Sequence, residues 1–143
     1  MITVREIAGE AELEACRALR RAVFIEEQNV PEDEEWDGLD AAARHWLVLD
    51  GARPVATMRL RILGETGKIE RVCVLAAHRG AGHGAVLMRT ALDALGAMPG
   101  VTEAKLGAQL HAIPFYEALG FAAYGGEFMD GGMPHRHMRR SIP

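Results

Sequence analysis

Three glycines within five residues, Gly80, Gly82 and Gly84, stand between the Val-rich segment Ile69–Val74 and the longest apolar-periodic stretch of the chain, Gly82–Leu95. That order predicts a strand, a tight turn and a helix start, which together make an anion site. The first-turn N–H groups of a helix have no partner within the helix and point outward as donors. Glycines leave no Cβ to hold a ligand away and accept φ values that other residues avoid. A hydrogen bond to a charged acceptor contributes about 1.5–3 kcal/mol, whereas the helix dipole adds about 0.3–1 kcal/mol. Convergent amides therefore dominate, and a diphosphate suits them better than a single carboxylate.

Other readings of the turn are weaker. Gly80-x-Gly82-x-x-Ala85 satisfies the loose dinucleotide fingerprint, but that motif needs an acid about 20 residues on, at the end of the next strand. Glu103 is the nearest acid and opens the next apolar run instead of closing it, and too little chain follows for the remaining parallel strands. A P-loop is excluded because no Lys-Ser/Thr pair follows the glycines. A plain strand-to-helix turn is the bland alternative.

The spacing Arg79-x-x-Gly82-x-Gly84 resembles motif A of the GNAT superfamily of acyl-CoA-dependent N-acyltransferases. A second segment, Ala108–Phe121, resembles that family's motif B, with Ala108, then Phe115-Tyr116, then Leu119-Gly120-Phe121. Phe24-x-x-Glu27-Gln28-x-Val30-Pro31 and Met133-Pro134-His135-x-x-Met138 are similar to the ElaA-like branch, so the resemblance runs along nearly the whole chain. It implies an α/β fold of the GNAT type, a central mixed β-sheet with helices on both faces, whose two parallel strands splay into a V around pantetheine. It places Val72, Cys73 and Val74 along the pantetheine and Arg79, Gly80, Ala81, Gly82, His83, Gly84 and Ala85 on the diphosphate. Gln109 stands where motif B more often has Asn, which leaves its cofactor contact open. His83 fills a variable position, either beside the diphosphate or facing solvent.

The implied activity is N-acetylation of a primary amine by acetyl-CoA, through direct attack in a ternary complex. Such a reaction needs an oxyanion donor, an acceptor for the amine proton and a proton for the leaving sulfur. A backbone N–H within Val72–Val74 is the expected oxyanion donor. Tyr116 holds the motif B position that commonly faces the sulfur, although a packed aromatic reads the same way. Glu70 and Glu27 are the carboxylate candidates for the base, with water as the alternative. Gln28 is a candidate for contact with the acceptor, which is a small-molecule or protein amine, and His45 and His135, on strands where the ElaA-like branch has similar histidines, are candidates for a catalytic or an acceptor-contacting role. A CoA-binding module without catalysis is the competing function.

The elements that must position these residues follow from periodicity and turn chemistry. Met1–Ile7, His45–Leu49, Pro54–Leu63, Lys68–Leu75, Thr102–Leu106, Phe121–Phe128 and His135–Arg140 read as strands. Glu10–Val23 is an amphipathic helix through Leu13, Cys16, Leu19 and Val23, and Gly82–Leu95 turns Val86, Leu87, Ala91, Leu92 and Leu95 inward. Asp50-Gly51 is a hairpin signal. Pro114 suits a helix start and Gly120 a helix end. Residues 24 to 44 are dense in acid, and most of these side chains read as a solvated loop over the acceptor site. Within them Trp36 reads as a lid anchor or a core plug.

Bulk properties bound the rest. The 143 residues make one domain, 1–143, long enough to bury a core unaided. A net charge of −4 argues against nucleic acid as partner. No apolar run approaches the roughly 20 residues that span a bilayer, and no signal peptide opens the chain. Two cysteines are too few for a disulfide framework, so reduced thiols in a cytoplasmic protein are expected. His135-x-His137 lacks a third ligand, and no metal is assigned. A homodimer through the last strands is conceivable.

Overall fold

The computed structural model describes residues 1–143. Its strands are β1 (Ile2–Glu6), β2 (Arg44–Asp50), β3 (Arg53–Leu63), β4 (Thr66–Val74), β5 (Glu103–Gln109), β6 (Ala122–Asp130) and β7 (Met133–Ser141). Its helices are α1 (Glu10–Arg20), α2 (Glu32–Glu35), α3 (His83–Gly96) and α4 (Ile113–Glu117). One mixed sheet runs β1-β2-β3-β4-β5-β7-β6, and β4 with β5 is its sole parallel pair.

Alternation along β2 explains why helices cover both faces. Trp46 and Val48 join the cluster under α3, with Leu87, Met88, Ala91 and Leu95, whereas Leu47 and Leu49 join Cys16, Leu19 and Val23 of the α1 side. A strand buried on both sides reads as a continuous apolar run, which is what His45–Leu49 does. Met88 is fully buried and Val86 and Leu92 only partly so, a rotation of the α3 face by about one position from the sequence expectation.

Two elements differ from the expected ones in ways that matter to the site. The first helix does not stop at Val23 but continues from Arg21 to Glu27 as a wider π-helical turn, which carries Phe24 and leads into Gln28 at the sheet's centre. Such insertions often mark functional sites. The segment after it, expected as a mostly solvated loop, folds back as α2 and packs on the sheet through Glu35 and Asp40, which are 3% and 8% exposed.

Candidate active site

β4 and β5 pair only over Thr66–Glu103, Gly67–Ala104 and Lys68–Lys105. Beyond Lys68 they diverge, and β5 turns its other edge to β7. The result is a V whose opening is a cavity of about 520 Å³, lined on one arm by Val72, Cys73 and Val74 and on the other by Leu106, Gly107 and Gln109. The β5-facing edge of β4 has no strand partner there, so its backbone groups remain available for an extended ligand.

The arm β4 is bent by a bulge. Thr57 pairs with Cys73 and Arg59 with Glu70, so Arg71 and Val72 together oppose Met58. Arg71 has φ 55°, the left-handed region that a side-chain-bearing residue seldom occupies. A bulge re-aims the local backbone and breaks the ladder. The strain is offset by a clamp: Arg71 Nε donates to Glu35 Oε2 at 3.0 Å and its Nη2 to Asp37 Oδ2 at 3.3 Å. Glu35 Oε2 also accepts from Arg20 Nε at 2.8 Å, and Arg20 donates to Asp40 Oδ1 at 2.8 Å. Arg59, fully buried, donates to both Asp37 and Asp40. Trp36 lies against the guanidinium groups of Arg20 and Arg21, and its indole N–H donates to Glu32. Most acids of residues 24 to 44 keep exposed side chains, as the sequence suggests, but Glu35 and Asp40 are buried in an ion network beneath the bulge that Asp37 joins from its rim.

The network sets an acid limit on the fold. Burial alone would raise the Asp40 carboxyl, but hydrogen bonds and charge from Arg20, with Arg59 and Arg17, hold it at about 2 instead of 3.8. A depressed folded-state value means that this stability is fully present above about 3.8 and is lost as pH falls through about 2. Acid titration followed by the fluorescence of Trp36, with Trp46 replaced by Phe, should therefore keep its native signal through pH 4 and lose it below. Loss already at pH 5 would contradict the network's role.

At the far end of β4 the glycine turn has the expected geometry. Gly80 and Gly82 have φ 83° and 85°, and Gly82 caps α3 from the left-handed region. The first bond of α3 runs from Val86 N–H to Gly82 O at 3.0 Å, so the amides of His83, Gly84 and Ala85 lie ahead of the helix's own bonding. An added Cβ at Gly80 or Gly82 would meet nothing within 4 Å, so backbone conformation and not space demands glycine there. Ala81 sits exposed in the turn, whereas His83 is buried at 6% exposure and faces neither solvent nor the cavity. Arg79 is engaged elsewhere: its guanidinium holds both Glu27 oxygens at 2.6 Å and the Val74 carbonyl at 3.0 Å. It ties the turn to the end of the π-helical segment.

Tyr116 of α4 lines the cavity, edge-on to Phe115 and Phe121. Burial pushes its phenol up to about 12, so it keeps its proton at any physiological pH. Burial likewise lifts the Cys73 thiol to about 12, which makes it an inert wall. Gln109 Nε2 donates to Gln28 Oε1 at 2.9 Å, and His111 Nε2 donates to Gln109 Oε1 at 2.7 Å. The glutamine pair bridges β5 to the residue that follows the π-helical turn.

The proton-acceptor candidates are placed very differently. Glu70 lines the cavity, but Arg61 grips it at 2.6 and 3.2 Å and Arg59 stands 3.3 Å away. Burial would raise its carboxyl, yet these cations bring it below the ordinary value. The Arg79 pair does the same to Glu27, chiefly through its hydrogen bonds. Both carboxylates are ion-paired, Glu70 half-buried and Glu27 at the surface, so a proton taken by either competes with an arginine. His45 lies outside the cavity, 2% exposed beneath the ion network, with Nε2 on the Asp40 carbonyl at 2.9 Å. Burial lowers its basicity, and its place beneath the network, away from the cavity, does not suit it to the acceptor contact expected of it. His135 does line the cavity, against Phe128 and beside His137, which stacks on Phe128 with ring centres 4.2 Å apart. Arg71, Phe128 and the full role of Glu35 were missed by sequence reasoning.

A splayed parallel pair, a bulged cofactor arm and a glycine turn opening a helix define an acyltransferase of the GNAT kind. Residues 13–121 match the model of the Acetyltransferase (GNAT) family, and the chain belongs to that family. It is 41% identical over 133 residues to the uncharacterized N-acetyltransferase YjcF of Bacillus subtilis, covering 92% of this chain and 94% of that one. The structure is similar to Escherichia coli ElaA, with a TM-score of 0.88 at 32% identity over 98% of this chain and 99% of that one. An acyl-CoA N-acyltransferase from Pseudomonas aeruginosa also matches, with a TM-score of 0.86 at 32% identity over 98% of both chains.

Proposed function

We propose that this protein transfers the acetyl group of acetyl-CoA to a primary amine by direct attack within a ternary complex. The observation that carries the reading is the V: β4 and β5 part after Lys68, and the free edge of β4 leads straight to the unpartnered amides of His83, Gly84 and Ala85. Pantetheine adds to that edge through main-chain hydrogen bonds, and the helix start receives the diphosphate. Because Arg79 is committed to Glu27 and Val74, backbone N–H groups supply most of the diphosphate affinity.

The thioester carbonyl then lies at the bulge, where a backbone N–H of Val72 to Val74 faces the developing oxyanion. Fixed donors of this kind are worth about 10²–10³ in turnover. Tyr116, held protonated, donates a hydrogen bond to the sulfur as the C–S bond breaks. Gln28, bridged to Gln109, shapes the wall between cofactor and acceptor.

Calorimetric titration tests the cofactor assignment. Acetyl-CoA should bind with micromolar affinity and NADH should not bind; no heat with acetyl-CoA would overturn the reading. Tyr116→Phe should lower kcat at least tenfold while acetyl-CoA affinity stays within about twofold. Equal turnover of the two proteins would remove Tyr116 from the chemistry.

A further inference from the structure

The geometry points to His135 Nε2 as the acceptor of the amine proton, an assignment that rests on the acetyl-transfer reading above. His135 is 8% exposed and lines the cavity from β7, where it pairs with Gln109 of β5. Its Nδ1 lies 2.8 Å from the Met133 carbonyl oxygen. A carbonyl oxygen can only accept, so the proton of the neutral ring sits on Nδ1 and the lone pair on Nε2. No group of the chain bonds Nε2, and it is not among the sealed polar atoms, which are His45 Nδ1 and Arg59 Nε. Phe128 holds the ring from one side at 5.7 Å between centres. The imidazole therefore has a fixed tautomer, a fixed plane and one open nitrogen, which are the requirements of a positioned base.

The neighbouring acids strengthen the assignment by elimination. Glu70 is occupied by Arg61 and Arg59, and Glu35 by Arg20 and Arg71, so neither can take a proton without breaking ion pairs. Glu34 and Asp130 are exposed and keep bulk water around them. His111 and His137 are the other imidazoles of the cavity; both are exposed to bulk water, and no hydrogen bond fixes the tautomer of His137.

In the step itself the amine nitrogen forms a bond to the thioester carbonyl carbon, and its surplus proton passes to His135 Nε2. The tetrahedral adduct collapses, the C–S bond breaks, and the electron pair leaves with sulfur. The sulfur takes a proton from solvent beside Tyr116, and His135 returns its own to water. One N–H is lost and one S–H gained.

The test compares wild type with His135→Ala, using acetyl-CoA and the fastest amine from a panel of alkyl monoamines, diamines and amino acid amides. A general base contributes about 10²–10⁴ in rate, so kcat should fall at least 100-fold while acetyl-CoA affinity stays within about twofold. Added imidazole should restore at least tenfold of that loss in His135→Ala and leave wild type unchanged, a rescue that a purely structural histidine would not show. If His135→Ala turns over like wild type, or responds to imidazole no more than wild type does, His135 is not the base. Wild type that binds acetyl-CoA yet acetylates no amine in the panel overturns the transfer reading and this assignment together.

Discussion

Replacing Glu35 with alanine is expected to lower the melting temperature by about 6–20 °C and to reduce turnover well beyond any loss of acetyl-CoA binding. Glu35 is 3% exposed and one of its oxygens serves both Arg20 and Arg71. Its removal leaves Arg20, itself 1% exposed, with Asp40 as its remaining carboxylate partner. Breaking a buried pair by deleting one member costs about 3–5 kcal/mol, because an uncompensated charge stays inside. At about 2–4 °C per kcal/mol near this chain length, that is the stated shift. The functional consequence comes through Arg71. Without Glu35 the clamp loses its shorter side-chain contact and keeps only the 3.3 Å bond to Asp37 and the 3.4 Å bond to the backbone carbonyl of residue 35, so the bulge can relax toward a regular ladder and turn its amides from the cleft. The exposed Arg44–Glu6 pair gives the contrast. Its N–O distances of 2.7 Å are as short, yet Glu6→Ala should cost no more than about 1 kcal/mol. Thermal melts of the two variants, with kcat measured below both transitions, check the argument; similar melting temperatures would contradict it.

Gly67→Ala is expected to destabilise the protein by about 1–3 kcal/mol through overpacking, an unusually large effect for one methyl group. Gly67 lies in the last paired step but one before β4 and β5 separate, opposite Ala104. A Cβ there would sit 2.2 Å from Leu95 Cδ2 and 2.6 Å from Leu95 Cδ1. Leu95 has no exposed surface and cannot swing away. Backbone freedom is not the issue, because Gly67 does not have positive φ. The absent side chain is what lets α3 sit close on the vertex of the V. Leu95→Ala alone should cost about 2–5 kcal/mol by leaving a cavity. The double variant should be more stable than the sum of the two costs predicts, since each change relieves the other. Chemical denaturation of the four proteins measures that coupling, and strict additivity would contradict the close contact.

These two positions also mark where sequence reasoning ran out. The glycine turn, the helix it opens and the Tyr116 helix were legible because their signals are local: positive-φ glycines, a Pro near a helix start, apolar residues at helical spacing. The ion network was not. Arg20 and Glu35 are 15 residues apart, Arg59 and Asp37 are 22, and Arg71 and Glu35 are 36. Nothing in a run of acids says that its arginine partners lie on α1, β3 and β4, so the solvated reading, right for most of these side chains, did not single out Glu35 and Asp40. The same gap misplaced His45, since alternation sets its face but not what packs over it. The bulge at Arg71 carries no Gly or Asn to announce a left-handed residue; it exists because a distant carboxylate holds it.

Release of CoA thiol from acetyl-CoA, followed in the presence and absence of primary amines, measures acetyl transfer itself. Release should depend on added amine, saturate in both substrates and yield an equal quantity of N-acetylated amine by mass spectrometry. Acetyl-CoA that binds but is consumed at the same slow rate with or without any amine would contradict that transfer.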